Sequence, residues 1–280
     1  MNPVVALLTD FGYQDHYVGA VKGAVLAACP GVTLVDIVHE LPAHDVLSGA
    51  FSLAASYRAF PAGTVFMAVV DPGVGSARRP LALETSIETS GERSGYRFVG
   101  PDNGIFTLAV AEAVSVRIHE ITNTALFGPD RSATFHARDI FGPVAGRLAG
   151  GLRLEEVGPP VIDPVLLALP PVRELSAGEW EGTILHVDRF GNLITTMTAA
   201  QLDLVLRAMD TDRTALVVSV EGVAMPLVRT YSDVPEGEPC ALVGSSERLE
   251  VAVHRGNASQ RLGAGRGAPV RVRKAFSPHG

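Results

Sequence analysis

Two cysteines in 280 residues are too few for a disulfide framework. Cys29 and Cys240 stand far apart, each in an apolar stretch, so no CxxC metal or redox pair is available. They read as buried thiols of a reducing, cytoplasmic compartment. Basic charge is also short: 23 Lys and Arg face 30 Asp and Glu, a net charge of -7. That balance excludes a protein whose affinity comes from neutralising phosphates, so nucleic acid is not an expected partner. Long apolar runs are missing, and Met1 leads to Thr9-Asp10 without a basic region, an apolar span or a cleavage site, which predicts neither export nor membrane insertion. Internal repeats and low-complexity tracts are missing too. So are GxGxxG after a first strand, GxxxxGK[ST], HExxH and GxSxG. Gly73-Val-Gly75 begins like a dinucleotide loop, but Arg78 stands where the third glycine would permit close packing.

What is present is a sequence able to build a large core, with 47% hydrophobic and 19% charged residues. Val4 to Leu8 reads as a strand buried on both faces that stops at Thr-Asp-Phe-Gly. A helix over His16 to Cys29 and a strand over Val32 to Val38 follow. A helix over Asp45 to Phe60 and a strand over Thr64 to Val70 come next, the strand closing on Asp71-Pro-Gly-Val-Gly75. Arg97 to Val99 reads as a further strand, with helices over Ile105 to Ala113 and Phe141 to Leu148, and Glu84 to Tyr96 as a short connection. This alternation predicts a mostly parallel sheet covered by helices. Val157 to Pro171 is rich in proline and marks a domain boundary. Beyond it, short runs at Gly182–Val187, Ala215–Val220, Ala241–Val243, Leu249–Val253 and Pro269–Val272, with a helix at Ala199–Ala208, predict a small β-barrel or sandwich.

The chemistry lies in carboxylates at strand ends, where open α/β sheets bind ligands. Asp10 there could accept two hydrogen bonds from a vicinal diol or simply cap a turn. Asp71 and Arg78 flank a turn that could fold them into a rigid pair, or they form a surface salt bridge. His136, in Thr134-Phe-His-Ala-Arg-Asp139 before an apolar helix, suits either a catalytic or a structural imidazole. His44 leads into a helix with Asp45 as its cap. Val187-Asp-Arg-Phe-Gly-Asn192 combines carboxylate, aromatic face and carboxamide, which suits a purine nucleoside and also suits a turn.

Taken together and in order, these blocks resemble the S-adenosyl-L-methionine hydrolases related to the fluorinating and chlorinating enzymes, nearly from end to end. The resemblance rests on Thr9-Asp-Phe-Gly12, Pro42-Ala-His-Asp-Val46, Val70-Asp-Pro-Gly-Val-Gly75 with Arg78, Gly100-Pro-Asp-Asn-Gly104, Thr134-Phe-His-Ala-Arg-Asp-Ile140, Asp188-Arg-Phe-Gly-Asn192, Thr230-Tyr-Ser-Asp233 and Gly244-Ser-Ser246. It implies an N-terminal, mostly parallel α/β sandwich domain over 1–165 and a smaller C-terminal β-barrel domain over 175–280. It also implies a homotrimer whose sites lie between one subunit's N-domain and a neighbour's C-domain.

Position by position, the resemblance makes Asp71, Arg78 and His136 the triad that binds and activates water. Asp10, with Phe11 beside it, would hold the ribose hydroxyls, and Asn192 the adenosine. Asp188 and Ser245 would meet the methionine portion, with Phe190 and Tyr231 as apolar and stacking surface, and the strand holding Glu250 and Val253 would read the adenine edge. The implied reaction is cleavage of S-adenosyl-L-methionine by water at the ribose C5′, giving adenosine and methionine, with neither metal nor cofactor. Halogenation is opposed by the charged triad, since a carboxylate beside the nucleophile site repels a halide. Two other readings stand beside it: a metal-dependent phosphoesterase built on Asp10, Asp15, Asp71 and Asp139, and a non-catalytic nucleoside sensor. Ala137, where glycine is usual, and Glu247-Arg248, in place of a glycine-aromatic pair, depart from the family pattern.

Overall fold

The computed structural model describes residues 2–89, 92–111, 113–129 and 131–275. They form two compact units, Met1–Leu167 and Ala168–Gly280. In the first, the chain runs β1 (Val4–Thr9), α1 (Tyr17–Ala28), β2 (Thr33–Val38), α2 (Val46–Ser56), β3 (Val65–Val69), β4 (Pro80–Thr89), β5 (Glu92–Pro101), α3 (Thr107–Val110), β6 (Ser115–Glu120) and α4 (Gly142–Ala149). The six strands order as β2-β1-β3-β5-β4-β6. β2, β1, β3 and β5 are parallel, while β4 lies antiparallel between β5 and β6.

The central strands are apolar without interruption because both faces are covered. Val5 and Leu7 of β1 join Val21 and Val25 of α1 and Val144 and Leu148 of α4 in one cluster. Ala6 and Leu8 face the other way, onto Leu53, Tyr57 and Ile105. Period-two alternation thus feeds two separate cores from one strand. Tyr57, Phe66, Tyr96 and Phe98 meet largely edge-on in the second core at centroid distances of 5.3–6.3 Å, each such pair adding about 0.5–1.5 kcal/mol beyond its buried area.

The second unit comprises β7 (Arg173–Ser176), β8 (Glu179–Val187), β9 (Leu193–Thr198), α5 (Ala199–Ala208), β10 (Leu216–Val220), β11 (Val223–Pro226), β12 (Pro239–Val243), β13 (Arg248–Val253), α6 (Ala258–Leu262) and β14 (Pro269–Lys274). Its strands pair antiparallel in the order β11-β10-β14-β8-β9-β13-β12, with β7 beside β8. A bridge from Leu227 to Ala241 brings the two ends together. The sheet is therefore a nearly closed barrel, which leaves little unpaired edge. Its core holds Ile184, Leu193, Met197, Val218, Val251 and Val272, and the Thr198–Gln201 capping box starts α5.

Several expectations need correction. Glu84 to Tyr96 is not a short connection: most of it belongs to the β4 and β5 hairpin, paired in register from Pro80–Pro101 to Thr89–Glu92. The helix expected over Ile105 to Ala113 contracts to Thr107–Val110. β6, β7, β9 and β11 were not anticipated. Cys240 is buried, but Cys29 is only half-buried.

Candidate active site

β1 and β3 are adjacent and parallel, so their carboxyl ends deliver Asp10 and Asp71 to the same edge of the sheet. There a cleft of about 580 Å³ opens, lined by Asp10, Phe11, His44, Asp71, Val74, Phe135 and His136 among others. Asp10 Oδ2 accepts the backbone N–H of His44 at 2.8 Å, leaving Oδ1 without a hydrogen-bond partner among the described residues. His44 takes φ +66 to make that bond. A left-handed backbone at a non-glycine residue is strained and tends to mark functional sites. Asp45 caps α2 through Ser48, as expected.

Asp71 and Arg78 are a buried pair, their side chains only 6% and 9% exposed. Arg78 Nε donates to both Asp71 oxygens at 3.0 Å and Nη2 to Oδ2 at 2.5 Å. The fork is fixed by the turn between them. Gly75 sits at φ +78, and a Cβ on it would lie 2.6 Å from the Ala133 carbonyl oxygen, so only glycine lets the turn approach that loop. The guanidinium also rests over the Phe141 ring at 5.1 Å.

His136 precedes a π-helical turn, Ala137–Phe141, that runs into α4. Arg78 Nη2 lies 2.8 Å from His136 Nδ1. A guanidinium only donates, so Nδ1 must accept and the ring proton sits on Nε2. Burial, then the Arg78 charge, hold the imidazole below its ordinary pKa, with Asp71 opposing. It is neutral at neutral pH. Arg78 Nη1 has no hydrogen-bond partner among the described residues, and Arg78 stands behind the cleft, whose wall Asp71 and His136 form.

Phe11, Tyr17 and Phe135 pack edge to face or tilted at 5.2–6.1 Å into an aromatic wall, and Arg138 lies over Phe135 at 4.9 Å. Tyr17 and Arg138 line the cleft without having been singled out from the sequence. Tyr17 opens a helix and Arg138 follows two candidate residues, so neither stands out by spacing. Ala137 is 3% exposed and packs into the adjoining core while it lines the cleft. Asp139 is consumed locally, accepting from Ser132 N–H and Arg138. Among the described residues no three His, Cys, Asp or Glu gather as a metal site would require, so Asp10, Asp15, Asp71 and Asp139 do not form the phosphoesterase cluster.

The remaining candidates belong to the barrel unit. Asp188 Oδ1 accepts the N–H groups of Phe190 and Asn192, both at 2.9 Å, and Oδ2 the Asn192 amide at 3.0 Å. Asp188 therefore shapes its own loop and orients the Asn192 carboxamide. Phe190 is 73% exposed at the tip. Asn257, which sequence reasoning passed over, packs against Gly191 of this loop so closely that a Cβ there would overlap it.

Tyr231 Oη donates to Glu250 Oε1 at 2.7 Å. Burial pushes the Glu250 carboxyl above the usual carboxylate range and the Tyr231 phenol above its own. Ser245 is exposed in the β12–β13 turn, where Glu247 takes φ +54, the conformation that favours glycine. Val253 is 6% exposed and part of the barrel core, so its side chain is not available to an adenine edge.

The two units correspond to two family models: SAM hydroxide adenosyltransferase N-terminal domain over residues 5–158 and SAM hydroxide adenosyltransferase C-terminal domain over residues 182–271. The chain is 40% identical to (R)-S-adenosyl-L-methionine hydrolase of Thermus thermophilus, covering 97% of this chain and 100% of that one. It is 31% identical to a fluorinase of an Actinoplanes species, covering 90% and 91%. A solved structure of an uncharacterized conserved protein from Thermotoga maritima matches with a TM-score of 0.85 at 33% identity, covering 96% and 100%.

Proposed function

The chain belongs to the SAM hydroxide adenosyltransferase family, and from that premise we propose that it hydrolyses S-adenosyl-L-methionine to adenosine and L-methionine. The observation that carries this reading is the Asp71–Arg78–His136 constellation, in which a buried ion pair beyond the carboxyl end of β3 holds the half-buried imidazole, with Arg78 Nη1 facing no partner among the described residues.

The sulfonium is already positive and departs as a neutral thioether, so the leaving group needs no acid. The difficulty is the nucleophile, because water, with a pKa of about 15.7, is a poor one. Arg78, clamped by Asp71, supplies fixed positive charge where the oxygen becomes negative, and it needs no reorganisation to do so. His136 offers Nε2–H to the same oxygen. Since its Nδ1 lone pair already accepts from Arg78 and Nε2 carries the ring proton, it acts as a donor to that oxygen rather than as a base: taking a proton at Nδ1 requires Arg78 to turn away. In-line attack at C5′ forms the O–C5′ bond and sends the C–S bond pair to sulfur, while the attacking water gives up one proton to solvent, so that adenosine and methionine leave with the sulfonium charge released as that proton. Holding the water opposite sulfur supplies up to about 7–11 kcal/mol of barrier reduction.

In this reading Asp10 accepts the ribose hydroxyls, and Asn192 with the Tyr231–Glu250 edge meets the adenosine. Asp188 acts on methionine chiefly by ordering its loop, beside Ser245. The homotrimer, with one subunit's cleft completed by a neighbour's barrel residues, belongs to the same proposal, as does a cytoplasmic setting, which the two free thiols suit. We extend to this chain the (R)-sulfonium named for the Thermus relative.

The test is incubation with each sulfonium epimer, with and without chelator and halide, and identification of the nucleoside by mass. Adenosine from the (R)-epimer, without metal or halide, is expected. A 5′-halogenated nucleoside would make the protein a halogenase, and tight binding without product a sensor.

A further inference from the structure

Behind the Asp10 loop lies a row of buried polar groups that the reaction does not use. Thr9 and His39, at the carboxyl ends of β1 and β2, are 0% and 1% exposed. Thr9 Oγ1 lies 2.7 Å from His39 Nδ1 and accepts the N–H of Phe11 at 3.3 Å. On its other side, His39 Nε2 is 3.1 Å from Asp36 Oδ1, at an angle that makes the contact chiefly electrostatic. Lys22 Nζ on α1 donates to Asp36 Oδ2 at 2.7 Å. Tyr13 sets its ring edge against the imidazole at 5.2 Å and gives its hydroxyl to Asp36 at 3.4 Å.

The Asp36 charge draws the imidazole proton to Nε2, the nitrogen that faces it, so Nδ1 accepts the Thr9 hydroxyl. The Thr9 oxygen is then left to accept from Phe11. Burial holds His39 below the ordinary histidine value despite Asp36, so the ring is neutral, as this tautomer requires. Its own carbonyl accepts the N–H of Gly12 at 2.7 Å. His39 thus grips the residue before Asp10 and the residue two after it, while His44 N–H holds the Asp10 carboxylate itself.

We propose that His39 is a positioning residue for the ribose end of the substrate, locking Thr9 to Gly12 in the conformation that aims Asp10 into the cleft. The inference rests on the reading of Asp10 as the ribose acceptor. Gly12 sits at φ +67, so without the lock this segment has other conformations open to it. A carboxylate contributes to recognition only when held in place.

The readout is the affinity of the full-length protein for adenosine relative to 2′-deoxyadenosine, by calorimetry, since a merely structural residue would not move that ratio. Wild type is expected to prefer adenosine and Asp10→Ala to lose the preference. Thr9→Val, which keeps the shape and removes the hydroxyl, is expected to cut the ratio roughly fivefold, the scale of one lost hydrogen bond, while leaving 2′-deoxyadenosine affinity unchanged. Thr9→Ser is expected to restore the ratio to within about twofold. His39→Gln is expected to match Thr9→Val, and the double variant to be no worse than either, because both cut one chain of bonds. An unchanged ratio in Thr9→Val, equal loss for both nucleosides, or additive effects would overturn the proposal while leaving Asp10's role standing. An unchanged ratio in Asp10→Ala would instead remove the ribose reading, and this proposal with it.

Discussion

Arg78 is held by two acceptors of different kinds, a carboxylate and a neutral imidazole nitrogen, and it is this division that makes it more than a charge. A lysine could face Asp71 but could not keep two flat donors on it while offering a third to His136 and leaving two more without a partner among the described residues. Arg78→Lys is therefore expected to lower kcat by about 10²–10³-fold, the usual cost of losing one transition-state donor, while adenosine affinity changes less than about threefold. Equal weakening of kcat and nucleoside affinity would mean that Arg78 serves binding instead. Asp71→Asn probes the clamp alone. It keeps an acceptor but frees the guanidinium to rotate, and the expected result is a fall in kcat smaller than that of Arg78→Lys, read in the same adenosine-release assay. His136→Ala leaves the Arg78 fork on Asp71 in place, so nucleoside binding should persist while turnover nearly vanishes.

The turn from Asp71 to Arg78 is the element that converts sequence into site, and two glycines separate its causes. Gly75 and Gly178 share a left-handed backbone at φ +78 and φ +79, but a Cβ at Gly75 meets the Ala133 carbonyl whereas one at Gly178 meets nothing. Gly178→Ala should thus cost only the conformational term, about 1–2 kcal/mol, with kcat unchanged. Gly75→Ala should cost more and also lower kcat, because the turn must shift and carry Asp71 and Arg78 with it; equal melting losses and equal kcat in the two variants would refute this account. The elements around the site were legible because parallel strands covered on both faces leave unbroken apolar runs, as at Val4–Thr9 and Val65–Val69. What escaped was antiparallel: in β4 and β5, Glu84 and Arg97 pair across the hairpin as an ion pair, and a strand with one such polar face resembles a loop. β9 was hidden differently, since Thr195 and Thr196 lie buried within it with hydroxyls bonded to backbone N–H groups. Of the candidate residues, Asp10, Asp71, Arg78 and His136 could be found from motif order, while the Thr9–His39–Asp36 row could not, because its members are ordinary strand residues until β1 and β2 are set side by side.

For the molecule as a whole, buried titratable groups tie folding to pH with opposite signs. His39 and His136 both titrate below the ordinary imidazole value, burial being the largest cause for each; Asp36 opposes the shift at His39, whereas Arg78 reinforces it at His136. The unfolded chain takes up protons at these positions near pH 6.5 while the folded chain still refuses them. Their contribution to stability is therefore complete above about pH 6.5 and is lost as pH falls from there through the lower folded values. Glu250 runs the other way: burial raises its carboxyl despite the Tyr231 hydrogen bond, so the unfolded chain releases that proton first, and stability declines as pH rises from about 4.3 through the raised value. Denaturant unfolding measured between pH 5 and 7.5 should then give His136→Asn a shallower rise of stability with pH than wild type. Glu250→Gln should give a steeper one, since it removes the opposing group and keeps an acceptor for Tyr231. Parallel stability curves for wild type and His136→Asn would show that the imidazole titrates alike in the folded and unfolded chain, and would sever the tautomer on which Arg78 and His136 meet.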